Sequence, residues 1–159
     1  MLPMKTRFLL AGAAFAGMLA VSSVHAEGLP AMTVYKDPSC GCCTAWADKM
    51  RTEGFVVEIV PTDDIAAVKQ QFGVPDELAS CHTAVVGGYV LEGHVPSAMV
   101  ERLLDEKPMT AGLAVPGMPV GSEGMAMPGM EPDTYPVVSF GASGQSTYAR
   151  YRGEERLSD

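Results

Sequence analysis

"AMTVYKDPSCGCCTAWADKMRTEG", residues 31–54, carries the pattern that decides the fold. Ala31 to Pro38 alternates and is rich in β-formers, which predicts a strand. Ser39 to Gly54 predicts a helix, with Ser39 as a candidate N-cap and Gly54 as the stop. Trp46 and Met50 lie four apart on one helical face, suited to packing on a sheet. Between strand and helix sit Cys40, Cys42 and Cys43, three of the chain's four cysteines.

The pattern continues outward. "FVVEIVPT" (55–62) predicts a second strand. "DDIAAVKQQFG" (63–73) predicts a helix capped by Asp63 or Asp64, with Ile65, Val68 and Phe72 on one face. "CHTAVVGGYVLEGHVP" (81–96) reads as a hairpin turning at Gly87-Gly88. "PSAMVERLLDEK" (96–107) is a helix with Val100, Leu103 and Leu104 inward. The order strand, helix, strand, helix, hairpin, helix is a thioredoxin- or glutaredoxin-like α/β layout, with the cysteines between first strand and first helix. Residues 108–135 are too rich in Pro and Gly for a helix or central strand and predict a long irregular segment. After it, "YPVVSFGASGQSTYARY" predicts a terminal β-hairpin turning at Gly141 to Gly144, and the residues beyond Arg152 a frayed end.

The first residues predict a destination. Lys5 and Arg7 precede an apolar run from Phe8 to Val21, and Val24 to Ala26 ("VHA") resembles a small-residue cleavage site. Residues 1–26 therefore read as a signal peptide, too short in its apolar part for a comfortable spanning helix. Export to the periplasm follows, with no membrane insertion after cleavage. The expected organisation is a thioredoxin-like domain over 27–107 and, over 108–159, a Met-rich metal-binding extension and hairpin packed on that domain. Taking Lys5 and Arg7 from the 11 basic residues leaves 9 against 19 acidic ones, a net charge of −10. Such a surface argues against nucleic acid or anionic lipid as partners.

Four cysteines in an oxidising compartment would ordinarily suggest two disulfides. Near-adjacent cysteines close tiny rings that stabilise little, so Cys40, Cys42 and Cys43 point to chemistry or metal instead. Cys40 and Cys43 form a C-x-x-C pair at a helix start, where free N–H groups favour thiolates. Such a pair serves either disulfide exchange or a soft metal. Cys42 tilts the choice to metal, because a third sulfur completes a trigonal thiolate site and thiolates can bridge several ions. Cys81, just before the third strand, would face the other three in a thioredoxin layout; the alternatives are a buried free cysteine or a disulfide to one of the cluster thiols. Met50 and Met99 read as core, whereas Met109, Met118, Met125, Met127 and Met130 lie where there is little core to fill. Thioethers suit Cu(I) and not Zn(II), so as a group they point to copper. His94 ranks above His82 as a ligand, since strand alternation turns His82 away if Cys81 faces the cluster. No G-x-S-x-G, Walker loop, H-E-x-x-H or paired Cys-x-x-Cys motif is present.

"YKDPSCGCC…W", "SCHTAVVGGYVLEGHVP", "GLAVPGMPVGSEGM" and "Y…ARY" together resemble a family of periplasmic metal-binding proteins of unknown function. Members in copper-resistance gene clusters are called CopG. The resemblance spans about Met32 to Tyr151. It implies a thioredoxin-like domain with a metal-binding C-terminal extension, a thiolate-bridged copper site beside C-x-C-C, and interconversion of Cu(I) and Cu(II), while the three thiols themselves suggest a multinuclear site. Carried over by residue, it implies Cys40, Cys42, Cys43, Cys81, His94 and Met118 as metal ligands, with Met125, Met127 and Met130 as further candidates. The expected function is copper tolerance by an exported copper-binding monomer that interconverts Cu(I) and Cu(II); a passive copper chaperone without redox turnover is one alternative. Copper efflux or oxidase proteins would be its partners. The other alternative is a thiol–disulfide oxidoreductase using Cys40 and Cys43.

Overall fold

The computed structural model describes Gly28 to Ser158, so the expected signal peptide lies outside the described residues. Eight described strands form one mixed sheet: β1 (Met32–Lys36), β2 (Val57–Pro61), β3 (His82–Val86), β4 (Tyr89–Glu92), β5 (Gly112–Ala114), β6 (Thr134–Gly141), β7 (Gly144–Arg152) and β8 (Glu155–Arg156). Their order is β2-β1-β3-β4-β5-β6-β7-β8. The β1–β2 and β4–β5 pairs are parallel and the others antiparallel. Among the described residues, three α-helices accompany the sheet, α1 (Gly41–Thr52), α2 (Ile65–Gln71) and α3 (Ser97–Glu106), with a short 3-10 helix at Asp76–Leu78. No described helix is long and apolar enough to cross a membrane.

Strand alternation sorts the core into two layers. Met32, Val34, Ala84, Val86, Leu91, Leu113 and Val137 face Trp46, Ala47 and Met50 of α1 and Met99, Val100 and Leu103 of α3. Their neighbours Val90, Ala114 and Phe140 turn to the opposite face, where Val74, Leu78 and Phe72 cover them. Tyr35 meets Phe72 on that face, with ring centroids 5.5 Å apart. Met50 and Met99 are core residues, as expected.

The hairpins form where the glycines predict them. Gly87 and Gly88, with φ of 56° and 85°, make the two-residue turn between β3 and β4. Gly141 pairs with Gly144 across the turn of β6–β7.

Three local expectations change. Ser39 does not cap α1, because its hydroxyl and N–H both donate to Asp37 Oδ1, at 2.5 and 2.8 Å. Cys40 is the N-cap instead, its Sγ accepting from the Cys43 N–H at 3.3 Å. The segment 108–135 is irregular over most of its length but contains β5, which pairs with β4 and links it through β6 to the terminal hairpin. The chain beyond Arg152 is not frayed at once, since β8 pairs with β7 and the Leu157 N–H donates to the Arg150 carbonyl at 2.8 Å.

Candidate metal centre

α1 brings the first three sulfurs to one end of the sheet. Cys40 precedes the helix, and Cys42 and Cys43 lie in its first turn. Cys40 and Cys43 are joined as a disulfide with Cα atoms 5.4 Å apart, a spacing that one helical turn supplies. This differs from the expectation of a thiol cluster. The physical reason is the same C-x-x-C geometry that favours thiolates: two sulfurs meet at the helix start. The ring is short, so the bond adds little to stability and acts as chemistry more than as a staple. Cys42 and Cys81 are free, and Cys42 Sγ lies 3.5 Å from Cys40 Sγ.

Cys81 arrives from the loop before β3, held at its neighbour. The Ser80 N–H donates to Glu92 Oε1 at 2.6 Å, and the Ser80 hydroxyl donates to the Gly117 carbonyl. Glu92 is fully buried and also accepts from Thr83 Oγ1 at 2.7 Å and Lys69 Nζ at 2.5 Å. Breaking one side of such a buried pair costs about 3–5 kcal/mol, so this carboxylate is a firm anchor for the Cys81 loop. The four sulfurs of Cys40, Cys42, Cys43 and Cys81 lie within 4.8 Å of one another.

Two imidazoles complete the cluster. Cys81 Sγ is 3.2 Å from His94 Nε2 and 3.4 Å from His82 Nδ1, and one ligand atom from each of these residues falls within 4.8 Å of the others. His94 Nδ1 lies 2.7 Å from the Glu123 carbonyl. His82 is fully buried against Trp46, ring centroids 4.5 Å apart, and its Nε2 has no partner among the described residues. Trp46 is fixed in turn by its Nε1–H, which donates to the Val95 carbonyl at 2.9 Å.

Burial sets the protonation states. It pushes the Cys81 thiol up to about 11, helped by the neighbouring Cys42. Burial also holds His82 well below its ordinary value, with His94, Lys69 and Lys36 adding repulsion. His94 is lowered by burial, against the opposing pull of its bond to Glu123. The metal-free site therefore holds a protonated Cys81 and two neutral imidazoles. Four sulfurs and two neutral ring nitrogens form a soft donor set. The disulfide has no thiolate to give, so Cys40 and Cys43 could ligate a metal only after reduction.

The methionines divide. Met118 follows Gly117, whose backbone bridges to Ser80 beside Cys81. Met125 follows Gly124, which fits against the Trp46 backbone and the Cys42 carbonyl so closely that a Cβ would stand 2.7 Å from Trp46 N. Both therefore run along the site, Met125 half-buried and Met118 55% exposed. Met127 and Met130 are 46% and 53% exposed and occupy the ends of a turn, with the Met130 N–H donating to the Met127 carbonyl at 3.1 Å. Met109 is fully exposed beside β5.

Sequence reasoning ranked His82 below His94 and passed over Glu123. Alternation turned His82 away, but β3 begins at His82, so Cys81 lies outside the strand and the rule does not bind the pair. Glu123 had a signal: it is the only charged residue between Lys107 and Glu131.

A family described as a protein of unknown function, DUF411, matches residues 78–125, the stretch from the Cys81 loop to Met125. No curated protein matches the chain. Two solved structures, of copper resistance protein CopG in forms 1 and 2, are each 44% identical to it with a TM-score of 0.73. They cover 80% and 79% of this chain and 100% and 99% of their own. At that identity over that length, the chain belongs to the family of the copper resistance protein CopG.

Proposed function

We propose that this protein is an exported copper-binding protein of copper tolerance. Its ligands are Cys40, Cys42, Cys43, Cys81 and His94, with Met118 and the extension's Met125, Met127 and Met130 as thioether donors. The observation that carries this reading is the gathering of four sulfurs within 4.8 Å, one of them 3.2 Å from an imidazole nitrogen. Thiolates bridge soft ions, so the site holds more than one copper and exchanges single electrons between Cu(I) and Cu(II) with an outside partner. The kinship with a copper resistance protein supports copper as the metal. The β2-β1-β3-β4 order, with α1 starting at the cysteines, supports a thioredoxin-like domain over residues 27–107 and an extension beyond it. Cleavage of residues 1–26 releases the protein to the periplasm as a monomer, where copper efflux or oxidase proteins are its partners.

Anaerobic Cu(I) titration of the reduced protein against a chromogenic chelator tests the stoichiometry. More than one equivalent is expected, and Cys42→Ser, which leaves C-x-x-C intact, should lose most of the binding. One equivalent or less, or full affinity in Cys42→Ser, overturns the bridged site.

The Cys40–Cys43 disulfide at a helix N-terminus favours a second reading, thiol–disulfide exchange. Insulin reduction that is rapid, equal in wild type and Cys42→Ser, and abolished in Cys43→Ser would establish it.

A further inference from the structure

α3 starts without a cap of its own. Its N-cap residue is Pro96, which makes no side-chain cap bond, yet the first N–H groups of a helix need acceptors. The acceptor comes from 26 residues downstream. Glu123 Oε2 accepts from the Ser97 N–H at 2.8 Å and Oε1 from the Ser97 hydroxyl at 2.9 Å, in a buried setting. A carboxylate there is also favoured by the helix dipole.

The same residue acts through its backbone. The Glu123 carbonyl lies 2.7 Å from His94 Nδ1. A carbonyl only accepts, so Nδ1 carries the proton and the neutral ring keeps its lone pair on Nε2, 3.2 Å from Cys81 Sγ. Gly124, at φ +82° with no room for a Cβ against α1, clamps the chain on the other side. Glu123 thus touches the start of α3 with its side chain and the metal centre with its main chain.

We propose that Glu123 is a positioning residue: its carboxylate, latched to Ser97, holds its own carbonyl on His94 Nδ1 and so fixes the ring with the Nε2 lone pair toward Cys81. This rests on the copper reading only where His94 acts as a ligand. The positioning itself is a property of the metal-free protein.

Nitrogen-15 NMR of the histidine rings in metal-free, reduced protein reads it directly. Wild type should show His94 as one tautomer, protonated at Nδ1. Glu123→Ala should lose that single state, whereas Glu123→Gln, which keeps an acceptor for the Ser97 N–H, should retain most of it. Ser97→Pro separates the latch from helix stability, because Pro is favoured at the first helical position and removes both donors to Glu123. Pro96 is already extended, φ −59° and ψ 138°, as a residue before proline must be. Ser97→Pro keeps the α3 start but leaves the buried Glu123 carboxylate without its two donors, so it should melt below wild type, still fold, and lose the His94 signature. An unchanged signature in folded Ser97→Pro or Glu123→Ala overturns the proposal.

Cu(I) affinity supplies the second arm. Losing such an outer support typically costs about 10–100-fold in metal affinity, expected here for Glu123→Ala and Ser97→Pro. A lost tautomer with unchanged affinity upholds the positioning and removes His94 from the copper ligands.

Discussion

His82 shows how one buried side chain ties stability to protonation. Its ring is fully buried, Nε2 has no partner among the described residues, and its folded pKa lies well below the ordinary value near 6.5. A histidine with a lowered folded pKa binds its proton more readily when unfolded. Its contribution is thus complete above about pH 6.5 and falls as the pH drops from there toward the folded pKa. His94 shifts in the same direction. Metal-free protein should accordingly lose urea stability between pH 7.5 and 5.5. His82→Phe, which keeps a ring against Trp46, should lose less over the same range. Parallel losses in the two proteins would mean that His82 takes up its proton without unfolding. Cys42 matters in the opposite regime, where reduction and metal are present, and its removal is the most selective test of the proposed copper site.

At the scale of elements, β5 is the piece that local pattern reading passed over. Three residues, Gly112–Ala114, extend the sheet beyond β4. Gly112 permits it: a Cβ there would stand 1.8 Å from the Val90 carbonyl oxygen. Gly112→Ala must push β5 off β4 or distort both, and should cost about 3 kcal/mol of unfolding free energy in urea titrations. A loss under about 1 kcal/mol would show that β5 adjusts freely and does not join the two parts of the sheet. α1 illustrates the same interplay at its start. The sequence offered Ser39 as cap, but the Asp37 carboxylate engages Ser39 and leaves the role to the Cys40 sulfur.

For the whole molecule, the long Pro/Gly segment is anchored at intervals instead of lying loose. Asp133 and Val120 close its base through two bonds, Asp133 N–H to the Val120 carbonyl and Val120 N–H to Asp133 Oδ2. Ser122 and Met125 close a turn above it, and Glu123 docks on α3. The amides of Gly121, Ser122, Met125 and Asp133 should resist hydrogen exchange even without metal. Residues 126–130 carry two exposed methionines, and added Cu(I) should slow exchange chiefly there. Replacing Met118, Met125, Met127 and Met130 together by Leu keeps the bulk and removes the thioethers. That variant should lose the gain while its core stays folded. Equal slowing in the Leu variant would assign these methionines to packing alone.

Local sequence determined what depends on near neighbours. Apolar periodicity placed β1, β2 and the three helices, paired glycines placed two hairpin turns, and the spacing of Cys40, Cys42 and Cys43 put three sulfurs on one helix start. Such features need only a few adjacent residues to agree. Tertiary structure decided the contacts that span long stretches of chain. Glu123 caps a helix that begins 26 residues earlier, Glu92 holds a loop 12 residues before it, and β5 adds to β4 through a glycine whose partner is a distant carbonyl. His82 joins Cys81 because the strand begins one residue later than the cysteine, a boundary fixed by pairing with β1. Periodicity carries no record of which distant group will satisfy a buried donor or a helix start; only the folded chain, by desolvating those groups, forces the choice.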